Sequence, residues 1–228
     1  QLTLGPDWST PMSMAFYCKA RPQRADIAKF CVFLGRVFIG YPVWNRDPTN
    51  LSREELIESL VDVSDQEIAS SDIFPTARKR QVTTNRNLIE KIDRDPKADR
   101  YVFIPRPAEG ICYVGKIKGT FKVERTPCWL NSYLDLRSDA GLHFGKCRDH
   151  IGDVVQGWEV DYGDPVAFPL IPAWMRRQVM GRTTAGVIKD DDMEGTGEDK
   201  AWEIAREMHQ GSWTPIFSPK IDPEATKL

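Results

Sequence analysis

The hydrophobic positions of this chain follow two rhythms. Within Arg24 to Leu34, Ile27, Phe30, Cys31 and Leu34 recur at helical spacing, and Gly35 is suited to end that helix. Arg36 to Trp44 reads as a strand broken at its end by Gly40 and Pro42, which sets Tyr41 and Trp44 at a strand terminus. Ser52-Arg-Glu-Glu55 is a capping-box pattern, with Leu56, Ile57, Leu60 and Val61 as the buried stripe of the helix it starts. Ser64-Asp-Gln-Glu67 repeats the signature and predicts a short helix to Ser70. From Pro75 to Ile92, Leu88, Ile89 and Ile92 form an apolar face with basic residues outward, and Asp93 to Asp99 reads as a polar turn.

The β rhythm dominates next. Tyr101 to Ile104 is apolar without a break, which predicts a strand covered on both faces. Ile111 to Ile117 and Phe121 to Val123 follow as two further runs, so the three together predict an antiparallel meander. Thr126 to His150 is interrupted by Gly141 and Gly145 and reads mainly as a loop with one short regular piece. Val154 to Val160 predicts another strand with a bulge at Gly157. Pro172 to Met180 reads as a helix burying Met175 and Val179, Thr183 to Ile188 as a final strand, and Asp199 to Gln210 as a helix docked by Trp202, Ala205 and Met208.

Composition narrows the class. At 228 residues and 41% hydrophobic, the chain can build one sizeable core. The formal net charge of -2 gives no global field for a polyanion. Between Thr76 and Trp129, however, basic residues clearly outnumber acidic ones, while Asp190 to Asp199 is acidic. Five scattered cysteines suit reduced thiols better than a disulfide framework. No run reaches the length of a membrane span and no basic-then-apolar leader is visible, so the expected location is cytoplasmic, without a membrane partner. Met12 and Met14 would serve as natural starts, so the residues ahead of them read as an appendage.

The order of Val37-Phe-Ile-Gly-Tyr-Pro-Val-Trp44, Asp99-Arg-Tyr-Val-Phe-Ile-Pro-Arg-Pro107, Gly110-Ile-Cys-Tyr-Val-Gly-Lys-Ile-Lys-Gly119 and Phe168-Pro-Leu-Ile-Pro-Ala-Trp-Met-Arg-Arg-Gln-Val-Met-Gly-Arg-Thr183 resembles a known family. It is similar to the sensor domains beside Mrr-like and McrB-like modification-dependent restriction enzymes, relatives of the EVE and YTH domains of the PUA-like superfamily. The resemblance covers Arg36 to Lys189. It implies an α+β fold, a PUA-like curved β-barrel-like sheet with surrounding helices, and a pocket at the strand ends that takes a flipped, modified base. Residues 1–35 then form an N-terminal extension with one helix, 36–189 the sensor domain, and 190–228 an acidic linker with a docked C-terminal helix. No nuclease follows, so cutting would fall to a separate nuclease subunit.

Reading a base outside the duplex needs flat apolar walls, polar groups for its Watson–Crick edge, and cations for the flanking phosphates. Tyr41 and Trp44 are the candidate walls, Trp129 or Trp158 the closing face, and Asn45 and Asp47 the edge contacts. Arg106, Lys116, Lys118, Arg176, Arg177 and Arg182 are the candidate phosphate contacts. Stacking contributes about 1–3 kcal/mol per base, against a few kcal/mol for unstacking. A methyl group adds only about 0.8 kcal/mol, so discrimination needs a shaped pocket. Tryptophans at such positions also serve as plain core residues, and Arg176 and Arg177 as the wet face of a helix.

Two other constellations are weaker. His143, Cys147 and His150 with Cys128 or Cys112 carry zinc-type donors but no Cys-x-x-Cys knuckle. Asp190 with Glu198-Asp-Lys200 echoes a metal-dependent nuclease layout, but in an acidic run entering a helix instead of on adjoining strands. The leading expectation is thus a reader of modified double-stranded DNA in a restriction or defence system, with no catalytic residue, metal or cofactor. An RNA-binding PUA-like module and a metal-dependent nuclease are the alternatives.

Overall fold

A computed structural model describes residues 13–21, 25–40, 44–60, 76–124, 126–141, 154–181, 183–190 and 200–215; the side chains at 53, 57 and 76–81 are outside that description. The strands are β1 (Met14–Cys18), β2 (Arg36–Phe38), β3 (Arg100–Arg106), β4 (Ile111–Val123), β5 (Gln156–Tyr162), β6 (Val166–Ala167) and β7 (Ala185–Ile188). The helices are α1 (Ala28–Leu34), α2 (Arg53–Glu58), α3 (Thr76–Asp93), α4 (Leu130–Asp139), α5 (Ala173–Val179) and α6 (Ala201–His209). The strands pair in the order β2-β5-β4-β3-β1-β7, with β6 on β4. The α+β class thus holds in its coarse form: a curled half-barrel sheet with six helices among the described residues. Among the described residues its path ends at β2 and β7.

The unbroken apolar run of β3 is explained by cover on both sides. Val102 and Ile104 join a cluster with Phe16, Cys31, Trp44, Ile89, Tyr133 and Trp158. Tyr101 and Phe103 face the other way, onto Met175, Val179, Ile204 and Met208 of α5 and α6. The capping box at α2 forms as its sequence dictates: Ser52 N–H donates to Glu55 Oε2 at 2.8 Å, and Glu55 N–H to Ser52 Oγ at 3.2 Å. Gly35 ends α1 in the left-handed region, with φ 62°.

Three local expectations change. β4 is one strand of 13 residues, so Phe121 to Val123 continues it and the three-strand meander is instead a hairpin with a long second arm. The irregularity expected at Gly157 lies opposite it on β4, where the pairing with β5 shifts between Lys118 and Lys122. Gly157 itself answers a close approach: a Cβ there would sit 1.9 Å from the Val37 carbonyl oxygen of β2. Finally, β1 lies within the stretch read as an N-terminal extension, yet it is an internal strand. It runs parallel to β3, with Met14 opposite Arg100 and Tyr17 opposite Phe103, and antiparallel to β7 on its other side. The short helix expected after Ser64 lies outside the described residues.

Candidate functional site

Parallel strands deliver the residues after their carboxyl ends to one edge of a sheet, where α/β proteins commonly bind ligands. β1 and β3 do so here. Lys19 and Arg21 leave β1, Arg106 closes β3, and a tight turn over Pro107–Glu109 folds back toward β4. The segment joining α5 to β7 completes the surround: Lys19 N–H donates to the Thr184 carbonyl at 2.9 Å, and Lys19 Nζ to the Gly181 carbonyl. The result is a cleft of about 210 Å³. Its apolar lining is Pro105, Pro107, Ala108 and Met180, and its polar lining is Lys19, Arg21 and Arg106. Met180 is one of two large apolar side chains left exposed among the described residues, at 48%.

Two carboxylates temper this positive rim. Asp26 Oδ2 contacts Arg106 Nη1 and lies 3.6 Å from Arg21 Nη2. Glu109 Oε1 accepts from Arg106 Nη2, and that hydrogen bond, more than any other influence, holds the Glu109 carboxyl below the usual carboxylate range. Lys29 lies 3.9 Å from its other oxygen.

Of the residues expected to read a base, Tyr41 lies outside the described residues. Trp44 and Trp158 are fully buried and present no face to an entering ring, so the cage composed from them is part of the core. Trp44 N–H donates to Gln156 Oε1 at 3.2 Å, and Trp158 Nε1 to Asp93 Oδ1 at 2.8 Å. Trp129 is half-buried, donates Nε1–H to the Val154 carbonyl at 2.9 Å, and has the Arg36 guanidinium 4.5 Å from its ring centre. Asn45 and Asp47 are exposed, and Asp47 Oδ1 accepts from the N–H and hydroxyl of Thr49, so it caps its own turn.

The expected phosphate contacts do not converge. Arg106 lines the cleft. Lys116 pairs with Asp99 at 2.6 Å opposite Tyr101, five residues and about 16 Å along β3 from Arg106. That hydrogen bond raises the Lys116 pKa above the ordinary lysine value. Lys118 lies 3.5 Å from Asp161. Arg176 is half-buried on α5, Arg177 is exposed, and Arg182 lies outside the described residues.

For the zinc-type constellation, Cys112 is buried in β4 and Cys128 is exposed, while His143, Cys147 and His150 lie outside the described residues. Among the described residues no three His, Cys, Asp or Glu side chains come together as metal ligands would. Asp190 Oδ1 accepts from Ala201 N–H at 2.7 Å and so sits at the start of α6, whereas Glu198 and Asp199 lie outside the description.

Lys19, Arg21 and Met180 are cleft residues that the sequence reading passed over. The signal in the chain is Met14-Ala-Phe-Tyr-Cys18, an apolar run followed by Lys19-Ala-Arg-Pro22, which is consistent with a buried strand and its exit but is too short to define one by period. No described helix is long and apolar enough to cross a membrane. The chain matches no protein-family model, no curated protein and no solved structure. Fold and cleft together define a mixed-sheet domain with a cation-rimmed apolar cleft at the carboxyl edge of its parallel strand pair.

Proposed function

We propose that this domain is a non-catalytic reader of DNA carrying a modified base, in a restriction or defence system. The strand and motif order that resembles EVE-like sensor domains motivates the ligand class, and the cleft between β1, β3 and the α5–β7 connection supplies the seat. The observation that carries the reading is the convergence of Lys19, Arg21 and Arg106 around a small apolar hollow. Cations beside an apolar floor suit a nucleotide, whose phosphate needs the former and whose ring face the latter. Ligand pockets commonly span about 300–1,000 Å³, so a hollow of about 210 Å³ suits one ring and its substituent better than a large cofactor.

Matched duplexes with and without a methylated cytosine or adenine, titrated at fixed salt by fluorescence anisotropy, test this. The modified duplex should bind about tenfold or more tightly. Arg21→Ala should weaken both duplexes alike and lower the salt slope by about one, as loss of a phosphate contact does. Equal affinities for the two duplexes would remove modified-base reading, and a competing single-stranded RNA that displaces both would favour the RNA-binding alternative.

A further inference from the structure

We infer that the seat for the ligand's phosphate lies between the guanidinium groups of Arg21 and Arg106, and that the Asp26 carboxylate holds that seat in the free protein. The inference rests on the cleft being the nucleic-acid site and adds the position of the anion and what it displaces. One oxygen carries the argument: Asp26 Oδ2 contacts Arg106 Nη1 and lies 3.6 Å from Arg21 Nη2, so two cations on different strand exits form ion pairs with a single carboxylate oxygen. Guanidinium groups bind carboxylate and phosphate oxygens through the same planar donor fork, so an oxygen position satisfied by one suits the other. Without an anion, the two like charges would repel across the mouth of the cleft.

The arrangement also allows exchange. The Asp26 side chain is 34% exposed and that of Arg21 61%, so the pair is open to solvent and weak, whereas Arg106 is 11% exposed and also donates to Glu109. Asp26 Oδ1 accepts from Ala28 N–H at 3.2 Å, which gives the carboxyl group a second partner when Oδ2 is displaced. A backbone phosphate entering the cleft would therefore exchange one anion for another on an existing pair of donors. Asp26 thereby sets how strongly the cleft answers to phosphate as such and leaves more of the affinity to the base.

Asp26→Asn tests this, because the amide keeps an oxygen for Ala28 N–H and removes the charge. Duplex DNA and sodium phosphate are titrated separately into the wild-type protein, Asp26→Asn, Arg21→Ala and the double variant at constant ionic strength, with urea midpoints to confirm folding. Asp26→Asn should bind duplex about three- to tenfold more tightly, and the gain should vanish in the Arg21→Ala background. A gain for duplex alone places the seat on nucleic-acid backbone, and a gain for duplex and free phosphate together makes it a general phosphate seat; either supports the inference. Unchanged or weaker binding by a folded Asp26→Asn, or a gain that persists without Arg21, overturns it. Should Asp26→Asn fail to fold, Asp26→Glu replaces it: the longer carboxylate should alter duplex affinity by a similar factor, and no change is the overturning result. Failure of modified-base discrimination shows as equal affinities for modified and unmodified DNA, a different readout from the Asp26 effect.

Discussion

Trp158 of β5, an indole of the larger core, donates its N–H to the half-buried Asp93 at the end of α3 over 2.8 Å. The same carboxylate accepts from Arg100 Nη1 at 3.1 Å and from Phe121 N–H at 2.6 Å. One acid thereby ties α3, β3, β4 and β5 together. Arg100, 2% exposed, also donates to the carbonyls of Ile92, Pro96 and Gly119. Asp93→Ala would leave a buried guanidinium and an indole N–H without their shared acceptor, and should cost about 3–5 kcal/mol in urea unfolding. A loss below about 1 kcal/mol would show that the network carries little of the stability.

Asp93 also predicts a pH dependence. Burial pushes its carboxyl pKa up, and the hydrogen bonds from Phe121 and Trp158 and the charge of Arg100 only partly oppose that. A native pKa above the unfolded one means that the folded state binds the proton more tightly. The contribution of this group is therefore fully present below the unfolded carboxylate pKa and is lost as pH rises through the native value. The unfolding free energy of the wild type minus that of Asp93→Asn should fall with rising pH across the carboxylate range and then level off. A difference that grows over that range would mean the bonds outweigh the burial.

Trp44 serves as a test of core against cage. Trp44→Ala should cost about 3–5 kcal/mol, as truncation of a buried aromatic does. Trp44→Phe discards an indole N–H that has no hydrogen-bond partner among the described residues and should cost less. It should also leave duplex affinity unchanged, and a loss of affinity in folded Trp44→Phe would return this residue to the binding site.

At Gly157 any side chain meets the backbone of β2. Gly157→Ala should destabilise by about 1–3 kcal/mol, read as a lowered urea midpoint, with faster amide exchange at Val37 and Phe38. An unchanged midpoint would require β2 to shift freely.

The thiols should sort by burial. Cys18, Cys31 and Cys112 are buried, and burial raises their pKa values, that of Cys18 to about 11. Alkylation of the native protein at neutral pH should reach Cys128 well before these three, as peptide mapping would show. Early labelling of Cys18 would indicate that β1 opens readily.

How legible the fold was depended on whether a signal was local. Ser52 and Glu55 announce their own helix start because both partners lie within one turn. Tyr101 to Ile104 announces a doubly covered strand because no polar residue intervenes. The site was less legible because its parts are non-local. Trp44 looks exposed beside Gly40 and Pro42, yet Gln156 binds the carbonyls of Ile39 and Gly40 and the N–H of Trp44, and the indole is buried. Asp93 reads as the first residue of a polar turn, and its partners Trp158 and Phe121 are far away in sequence. Met14 to Cys18 is too short for its period to be read alone, and with it went Lys19 and Arg21.

The placement of β1 between β3 and β7 bears on how the chain is made. On a ribosome, residues 14–18 gain their first sheet neighbour only after residue 100 has been synthesised, and their second only after residue 185. Until then this apolar ribbon has both hydrogen-bonding edges bare, the condition in which strands pair with the wrong neighbour. The nascent polypeptide therefore passes through a long interval in which this strand must be kept from other partners.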